Sequence, residues 1–249
     1  MDIWAACRDA AHPGPLSGTL VRAVESQQQV ATTTLVDTPA EQQLLEELLE
    51  ASKPPRPPGF EALHYLLATP FRYPPLRHGS RFGARHEPSL FYGATRRRTA
   101  LAETAYYRLV FLDGMAEPPP SPALVTQHTV FRARYRTRHG LRLQNPPFSR
   151  YEARLRDPSR YDDTQVLGAR LRNAGITAFQ YRSARHSGGG INVALFSPTA
   201  LADTRPNALE PLTCVTRFDA VTFHGAGDDS LHFDRSMYLV NGLLPQPAV

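Results

Sequence analysis

Two segments of this 249-residue chain combine residue types that could do chemistry. The first holds Arg72, Tyr73, Arg81 and Tyr92 and leads to Glu103. Glu103 lies among Ala, Leu and Thr residues, where a carboxylate needs a cationic partner or a function, because burying an unpaired charge is costly. A guanidinium makes charge-assisted hydrogen bonds to phosphate or carboxylate groups. The segment therefore predicts a carboxylate combined with anion-binding arginines.

The second segment, residues 181–196, places a glycine-rich loop between two apolar runs. Arg182 and Ser183 end the first run, and Arg185 and three consecutive glycines at 188–190 follow. Glycines allow a backbone to approach a ligand closely. An ordinary hairpin loop has the same composition, so both interpretations stay open for this segment on its own.

Several familiar signatures are absent from the sequence. There is no GxGxxG, Walker loop, HExxH, GxSxG or CxxC pattern. The nine histidines have no metal-ligand spacing, and Cys7 and Cys214 fit neither a disulfide scaffold nor a zinc site. No run reaches the ~18 apolar residues of a membrane span, and the N-terminus lacks the pattern of a signal peptide. We expect a cytoplasmic protein without a metal.

The elements that must position these residues are short and mixed in type. Apolar periodicity and turn residues predict helices over 99–112 and 162–174 and strands over 129–138, 177–182, 191–196, 214–223 and 231–240, the last two joined as a hairpin. The strands do not alternate regularly with helices. The pattern favours an α+β fold with mixed or antiparallel β-sheets and flanking helices over a doubly wound sheet.

Residues 1–60 are predicted to form an N-terminal helical extension, with the main domain over residues 61–249. Thr38 and Glu41 have the spacing of a capping box, and four leucines follow on one helix face. The proline-rich stretch 53–59 is typical of a stiff connector. A helix docked on the core and a partner-binding helix both fit this pattern.

The charge comes almost entirely from arginine. The net charge is +5, and Lys53 is the one lysine among 28 basic residues. In the strand over 129–138, one face carries the four arginines Arg132, Arg134, Arg136 and Arg138. A solvated sheet face explains this pattern, and a stripe that binds phosphate, nucleic acid or a partner protein is the alternative.

Together, the two segments resemble the RES domain family, which is named for its Arg, Glu and Ser. The resemblance runs through RFG, FYGA, TALAE, DDTQVLGARLRNAGITAFQYRSAR and GGGINVALF, over roughly residues 65–200. It implies an ADP-ribosyltransferase-like core. It also implies the toxin of a bacterial type II toxin–antitoxin system, neutralised by an Xre-type helix-turn-helix antitoxin that makes any DNA contact in place of the toxin.

The resemblance also implies which residues form the site. The Glu of the family corresponds to Glu103, its Ser to Ser183, and the aromatic residue before the helix to Tyr92, while its Arg corresponds to either Arg81 or Arg72. We expect Glu103, Arg81, Tyr92 and Ser183 to be catalytic. The residues expected to bind NAD are Arg72, Tyr73, Arg81, Tyr92, Arg182, Ser183 and Arg185.

The implied activity is cleavage of the nicotinamide–ribose bond of NAD, with water or inorganic phosphate as the acceptor. This reaction builds positive charge on the ribose, which a fixed carboxylate such as Glu103 would stabilise. Two alternatives stay open: a mono-ADP-ribosyltransferase acting on a specific protein, and a binding module without catalysis that uses the arginine face.

Overall fold

The computed structural model of the protein describes residues 2–26, 36–54, 60, 62–75, 77–117, 119 and 121–246. Its helices are α1 (Ile3–Cys7), α2 (Pro39–Ser52), α3 (Tyr65–Arg72), α4 (Arg97–Asp113), α5 (Glu152–Leu155) and α6 (Asp162–Asn173). Its strands are β1 (Gly14–Glu25), β2 (Phe91–Ala94), β3 (Leu124–Arg142), β4 (Ala178–Arg182), β5 (Ile191–Leu195), β6 (Asn207–Thr216), β7 (Ala220–His224) and β8 (Ser230–Asp234). Helices and strands are intermixed, so the predicted α+β class is confirmed.

The eight strands form one mixed sheet in the order β1-β2-β5-β4-β3-β6-β7-β8, and β1 also pairs with β3. The pairings of β1, β2, β5, β4 and β3 therefore close into a circuit, to which β6, β7 and β8 are added at β3. The β3–β4 pair is parallel and the other pairs are antiparallel. This circuit places β2 between β1 and β5.

Strand β3 follows its sequence pattern. Phe131, Ala133 and Tyr135 are buried, and the four arginines that alternate with them are exposed: Arg132, Arg134, Arg136 and Arg138. Side chains of successive strand residues point to opposite faces, so the period of two in the sequence sets one apolar and one basic face. The predicted half-buried strand with a basic outer face is confirmed.

Helices pack on different parts of the sheet and position the site. The buried face of α4, which includes Leu101, Ala105 and Leu109, packs with apolar residues of β6, β7 and β8. Helix α6 packs through Leu167 and Leu171 against a cluster of aromatic residues beside β4. The amphipathic patterns predicted both helices within a few residues of their observed ends.

The prediction that residues 1–60 form a helical extension is wrong for Gly14–Glu25, which forms strand β1 and pairs along its length with β3. Leu16 and Leu20 are buried and Ser17 and Thr19 are exposed, and the backbone pairing with β3 is what makes this segment a strand. The predicted capping box is confirmed at Thr38 before α2. The leucines of α2 are largely exposed, and residues 55–59 of the proline-rich connector lie outside the described residues.

The region after residue 206 also differs from its prediction. The single strand predicted over 214–223 is two strands, β6 and β7, because the chain turns between Thr216 and Ala220. The predicted hairpin across residues 224–230 is confirmed as the β7–β8 connection, although β8 ends at Asp234 and a short 3-10 helix follows. Among the described residues, no helix has the length and apolar character to cross a membrane.

Candidate functional site

A cavity of about 220 Å³ lies where β1 and β2 meet helix α4. Its wall includes Arg22 from β1, Tyr92 from β2, and Glu103 and Tyr107 from α4. Arg81, from the segment before β2, completes this group. The fold therefore brings together Arg81, Tyr92 and Glu103, which the sequence predicted to be catalytic, and adds Arg22 and Tyr107.

The Glu103 carboxylate is held through one of its two oxygens. Ser183 Oγ and Asn192 Nδ2 both donate hydrogen bonds to Glu103 Oε1, each at 2.6 Å. The other oxygen, Oε2, has no hydrogen-bond partner in the part of the chain that the structure describes. The two donors fix the orientation of the side chain and leave one carboxylate oxygen for a ligand in the cavity.

Ser183 lies behind Glu103 and is fully buried. Its hydroxyl accepts hydrogen bonds from the backbone N–H groups of Arg185 (3.1 Å) and His186 (3.0 Å) while it donates to Glu103. It does not line the cavity. In this structure Ser183 therefore positions Glu103 and the loop after β4, and the predicted hydrogen bond from Ser183 to a substrate has no support from this geometry.

Asn192 is a site residue that the sequence reasoning missed. It lies in β5, lines the cavity, and is only 3% exposed. A buried amide needs hydrogen-bond partners, and Nδ2 finds one in Glu103. A polar residue within the apolar run INVAL was the signal that could have found it.

Arg22 is the second site residue that the sequence reasoning missed. Its Nη1 donates a hydrogen bond to the backbone carbonyl of Tyr92 (2.5 Å), and its guanidinium lies 5.1 Å from the centre of the Phe91 ring. No carboxylate pairs with Arg22 among the described residues. Burial lowers the pKa of Arg22 to about 10, which leaves the side chain charged at neutral pH. The cavity thus contains a half-buried cation that no carboxylate of the described residues neutralises.

Arg81 is buried, and its guanidinium donates hydrogen bonds to backbone carbonyl groups. Its Nη1 donates to the carbonyl oxygens of Asp157 (2.9 Å) and Leu155 (3.3 Å), and its guanidinium lies 4.7 Å from the centre of the Tyr161 ring. These contacts hold the side chain in one orientation at the cavity wall. They neutralise none of its charge, so Arg81 adds positive potential beside Arg22.

Tyr92 reaches the cavity with its hydroxyl already engaged. The backbone N–H of Phe82 donates to Tyr92 Oη (3.1 Å), and Ser80 Oγ lies 2.8 Å from the same oxygen. Burial raises the pKa of Tyr92 to about 12. The phenol therefore stays protonated at neutral pH, which excludes a role as a general base and leaves the ring as its contribution to ligand binding.

Tyr107 lies one helical turn after Glu103 on α4, so the two side chains lie on the same side of the helix. Tyr107 is 52% exposed overall, and it lines the cavity together with Glu103 and Tyr161. Burial, with Tyr161 and Glu103 nearby, raises the pKa of Tyr107 well above its usual value. Tyr107 is therefore a neutral hydrogen-bond donor beside the carboxylate.

Besides Ser183, four other residues predicted to bind NAD do not line the cavity: Arg72, Tyr73, Arg182 and Arg185. Arg72 ends α3 and donates to the backbone carbonyl of Pro54. Arg182 pairs with Glu152 at 3.2 Å. The buried Arg185 guanidinium lies 3.5 Å from the centre of the Tyr106 ring and donates to the Pro158 carbonyl. Between the two candidates for the motif arginine, only Arg81 faces the cavity.

Among the described residues, no group of three or more His, Cys, Asp or Glu side chains is arranged to hold a metal ion.

Comparison with known proteins identifies the family. No curated protein matches the chain. A family model described as the RES domain matches residues 53–216, which is more than half of the chain and includes Glu103, Arg81, Tyr92, Ser183 and Asn192. The chain therefore belongs to the RES domain family.

Proposed function

We propose that this protein cleaves the nicotinamide–ribose bond of NAD and transfers the ADP-ribosyl group to water or inorganic phosphate. The RES domain family is linked to NAD-related toxin activity. The observation that carries the proposal is the Glu103 carboxylate, which is fixed through one oxygen in a cavity that also holds unpaired cationic charge.

Glu103 supplies the electrostatic part of this reaction. As the bond breaks, its electron pair leaves with nicotinamide, which departs as a neutral molecule and needs no general acid. Positive charge develops on the ribose ring, as in glycoside hydrolysis. A carboxylate already oriented by Ser183 and Asn192 stabilises that charge without reorganising during the reaction. In this proposal, Oε2 is the carboxylate oxygen that lies against the positively charged ribose.

Arg22 and Arg81 supply the complementary part. A buried guanidinium without an anionic partner is costly, and an anionic ligand removes that cost. The pyrophosphate of NAD offers this charge, and guanidinium groups bind phosphate oxygens through charge-assisted hydrogen bonds. The Tyr92 ring is placed to pack against the nicotinamide or the ribose. The carboxylate thus matches the positive charge that develops on the ribose, and the two arginines match the negative charge of the pyrophosphate.

The proposal extends to the biological context that the family implies. The protein acts as a cytoplasmic toxin with an ADP-ribosyltransferase-like core, and an Xre-type antitoxin neutralises it. Phosphate is a co-substrate if the reaction is a phosphorolysis. The proposed mechanism needs no metal, because the Glu103 carboxylate and the arginines supply its charge stabilisation.

The test measures nicotinamide release from NAD by the purified chain, with and without phosphate, in the wild type and in Glu103→Gln. Glutamine keeps an oxygen that Ser183 and Asn192 can hold, so the fold is preserved while the negative charge is lost. We expect the rate to fall by about 100-fold or more, which is typical when a fixed electrostatic contact to the transition state is removed.

The matched control is Glu117→Gln, which makes the same substitution at an exposed position after α4. We expect it to retain the wild-type rate. Chromatography of the second product separates ADP-ribose from its 1-phosphate and so distinguishes hydrolysis from phosphorolysis. Equal rates in the wild type and Glu103→Gln would overturn the proposal. Incorporation of ADP-ribose into a protein, without release of free product, would replace it by the transferase alternative.

A further inference from the structure

A second cavity, of about 530 Å³, borders the first one and is not explained by the bond cleavage itself. Thr104 and Tyr107 of α4 line both cavities and mark the boundary between them. The first cavity, at about 220 Å³, is smaller than the range of about 300–1,000 Å³ that is typical of small-molecule sites. A dinucleotide bound at Glu103 must therefore extend beyond it.

Large apolar side chains in the wall of the second cavity are exposed to solvent. Phe111, one turn after Tyr107 on α4, is 56% exposed, and Val125 of β3 is 62% exposed. Tyr107, Phe111 and Val125 all line the second cavity, beside a site that carries charge. Apolar side chains that cluster around a cavity next to a candidate site are typical of ligand binding rather than of random surface exposure.

Polar groups accompany this wall. Arg108 is buried and pairs with Glu25 at 3.0 Å, and its guanidinium lies 5.1 Å from the centre of the Phe111 ring. The Glu25 side chain is itself largely exposed and can accept a hydrogen bond from an amino group. An aromatic face next to a hydrogen-bond acceptor suits a flat heterocycle with an amino group, which is the chemistry of adenine.

We infer that the second cavity binds the adenosine half of NAD, with the base against Phe111 and Val125 and the pyrophosphate at Arg22 and Arg81 in the first cavity. This inference rests on the proposed function, because it assumes that NAD reacts at Glu103. The helix provides the spacing: Glu103 and Phe111 are two turns apart, or roughly 12 Å along the α4 axis. The chain of ribose and phosphate groups spans that interval.

The test compares NAD with nicotinamide mononucleotide, which has the same scissile bond and no adenosine. Nicotinamide release gives kcat/KM for each substrate, and the ratio of the two values reports the contribution of the adenosine half. In Phe111→Ala we expect this ratio to fall about five- to tenfold relative to wild type, because an aromatic stacking contact is lost. Phe111 is exposed, so its truncation leaves the buried core intact, and circular dichroism checks the fold of the variant.

Phe218→Ala is the matched control. Phe218 is also an exposed phenylalanine with an arginine over its ring, Arg235 at 4.5 Å, and it lines neither cavity. Its ratio must equal that of the wild type. A further variant, Tyr65→Ala, probes a smaller neighbouring cavity that Arg22 also lines.

The outcomes separate the two proposals. Nicotinamide release from both substrates with an unchanged ratio in Phe111→Ala overturns the adenosine site and leaves the proposed function standing. A fall in the ratio for Tyr65→Ala alone assigns adenosine to the smaller cavity and also overturns the inference. No release from either substrate by the folded wild type overturns the proposed function, and the inference with it.

Discussion

At the scale of single residues, the hydrogen bond that Asn192 donates to Glu103 is open to a direct test. Asn192 Nδ2 lies 2.6 Å from Glu103 Oε1, so Asn192→Asp removes this donor and places a second carboxylate against the first. The repulsion between the two carboxylates displaces Glu103 from the orientation that its donors set. We expect kcat/KM for nicotinamide release to fall by about tenfold or more, because a misplaced reacting group is costly.

Asn173→Asp is the control for this prediction. It adds the same charge at an exposed position at the end of α6, and we expect its kcat/KM to match the wild type. A wild-type kcat/KM in folded Asn192→Asp would show that the reaction does not depend on the hydrogen bond from Asn192. The positioning role of Asn192 would then be wrong.

The sequence could predict only part of the site at this scale. Glu103, Arg81 and Tyr92 fall within one continuous stretch, and the family resemblance identified them. Arg22 lies far from this stretch and reaches the cavity because β1 pairs with β2 at Val21 and Ala94, a long-range contact that local patterns do not contain. The roles predicted for Arg72, Tyr73, Arg182 and Arg185 stay predictions without support from the cavity, because nearness in sequence did not place them in its wall.

At the scale of elements, helix α6 supports the segment that carries Arg81 through an unusually close contact. A Cβ atom added at Gly168 would lie 1.9 Å from the backbone oxygen of Phe82, the neighbour of Arg81. Backbone atoms cannot move aside as a flexible side chain would. We expect Gly168→Ala to lower the free energy of unfolding by about 1–3 kcal/mol and to reduce activity, because it displaces Arg81. Urea denaturation and nicotinamide release measure the two effects.

Gly114→Ala makes the same substitution where there is room. Gly114 ends α4 with an ordinary φ of −83°, and the nearest atom to an added Cβ is 3.4 Å away. We expect stability and activity close to those of the wild type. If Gly168→Ala were equally harmless, the packing of α6 against Phe82 would not be what positions Arg81.

The elements were predictable where their own periodicity was strong. The alternation of β3 and the amphipathic face of α4 are set by local sequence, and both are present as predicted. Strand β1 was missed because its apolar positions, Leu16 and Leu20, are separated by Gly18 and give a weak alternation. Its state is decided by pairing with β3, which is distant in sequence.

At the scale of the whole molecule, the place of β1 determines whether the first 60 residues can be separated from the rest. A division at residue 60 would remove a strand that pairs with both β2 and β3 and would open the circuit of five strands. It would also remove Arg22 from the candidate site. The apolar cluster would lose Leu16 and Leu20, and its remaining members, such as Phe91 and Phe131, would be exposed. The predicted domain boundary thus has a measurable consequence.

We expect a fragment of residues 61–249 to show no cooperative thermal unfolding, whereas the full chain unfolds in one transition, because exposed strand edges and apolar surface leave too little buried area for a stable fold. In the full chain, Leu20→Asp buries an unpaired charge at a fully buried position and should cost about 3 kcal/mol or more. Thr19→Asp, at the exposed neighbouring position of the same strand, should change the stability by less than about 0.5 kcal/mol. A fragment of 61–249 that unfolds cooperatively would contradict this expectation and would show that β1 is added to a core that folds without it.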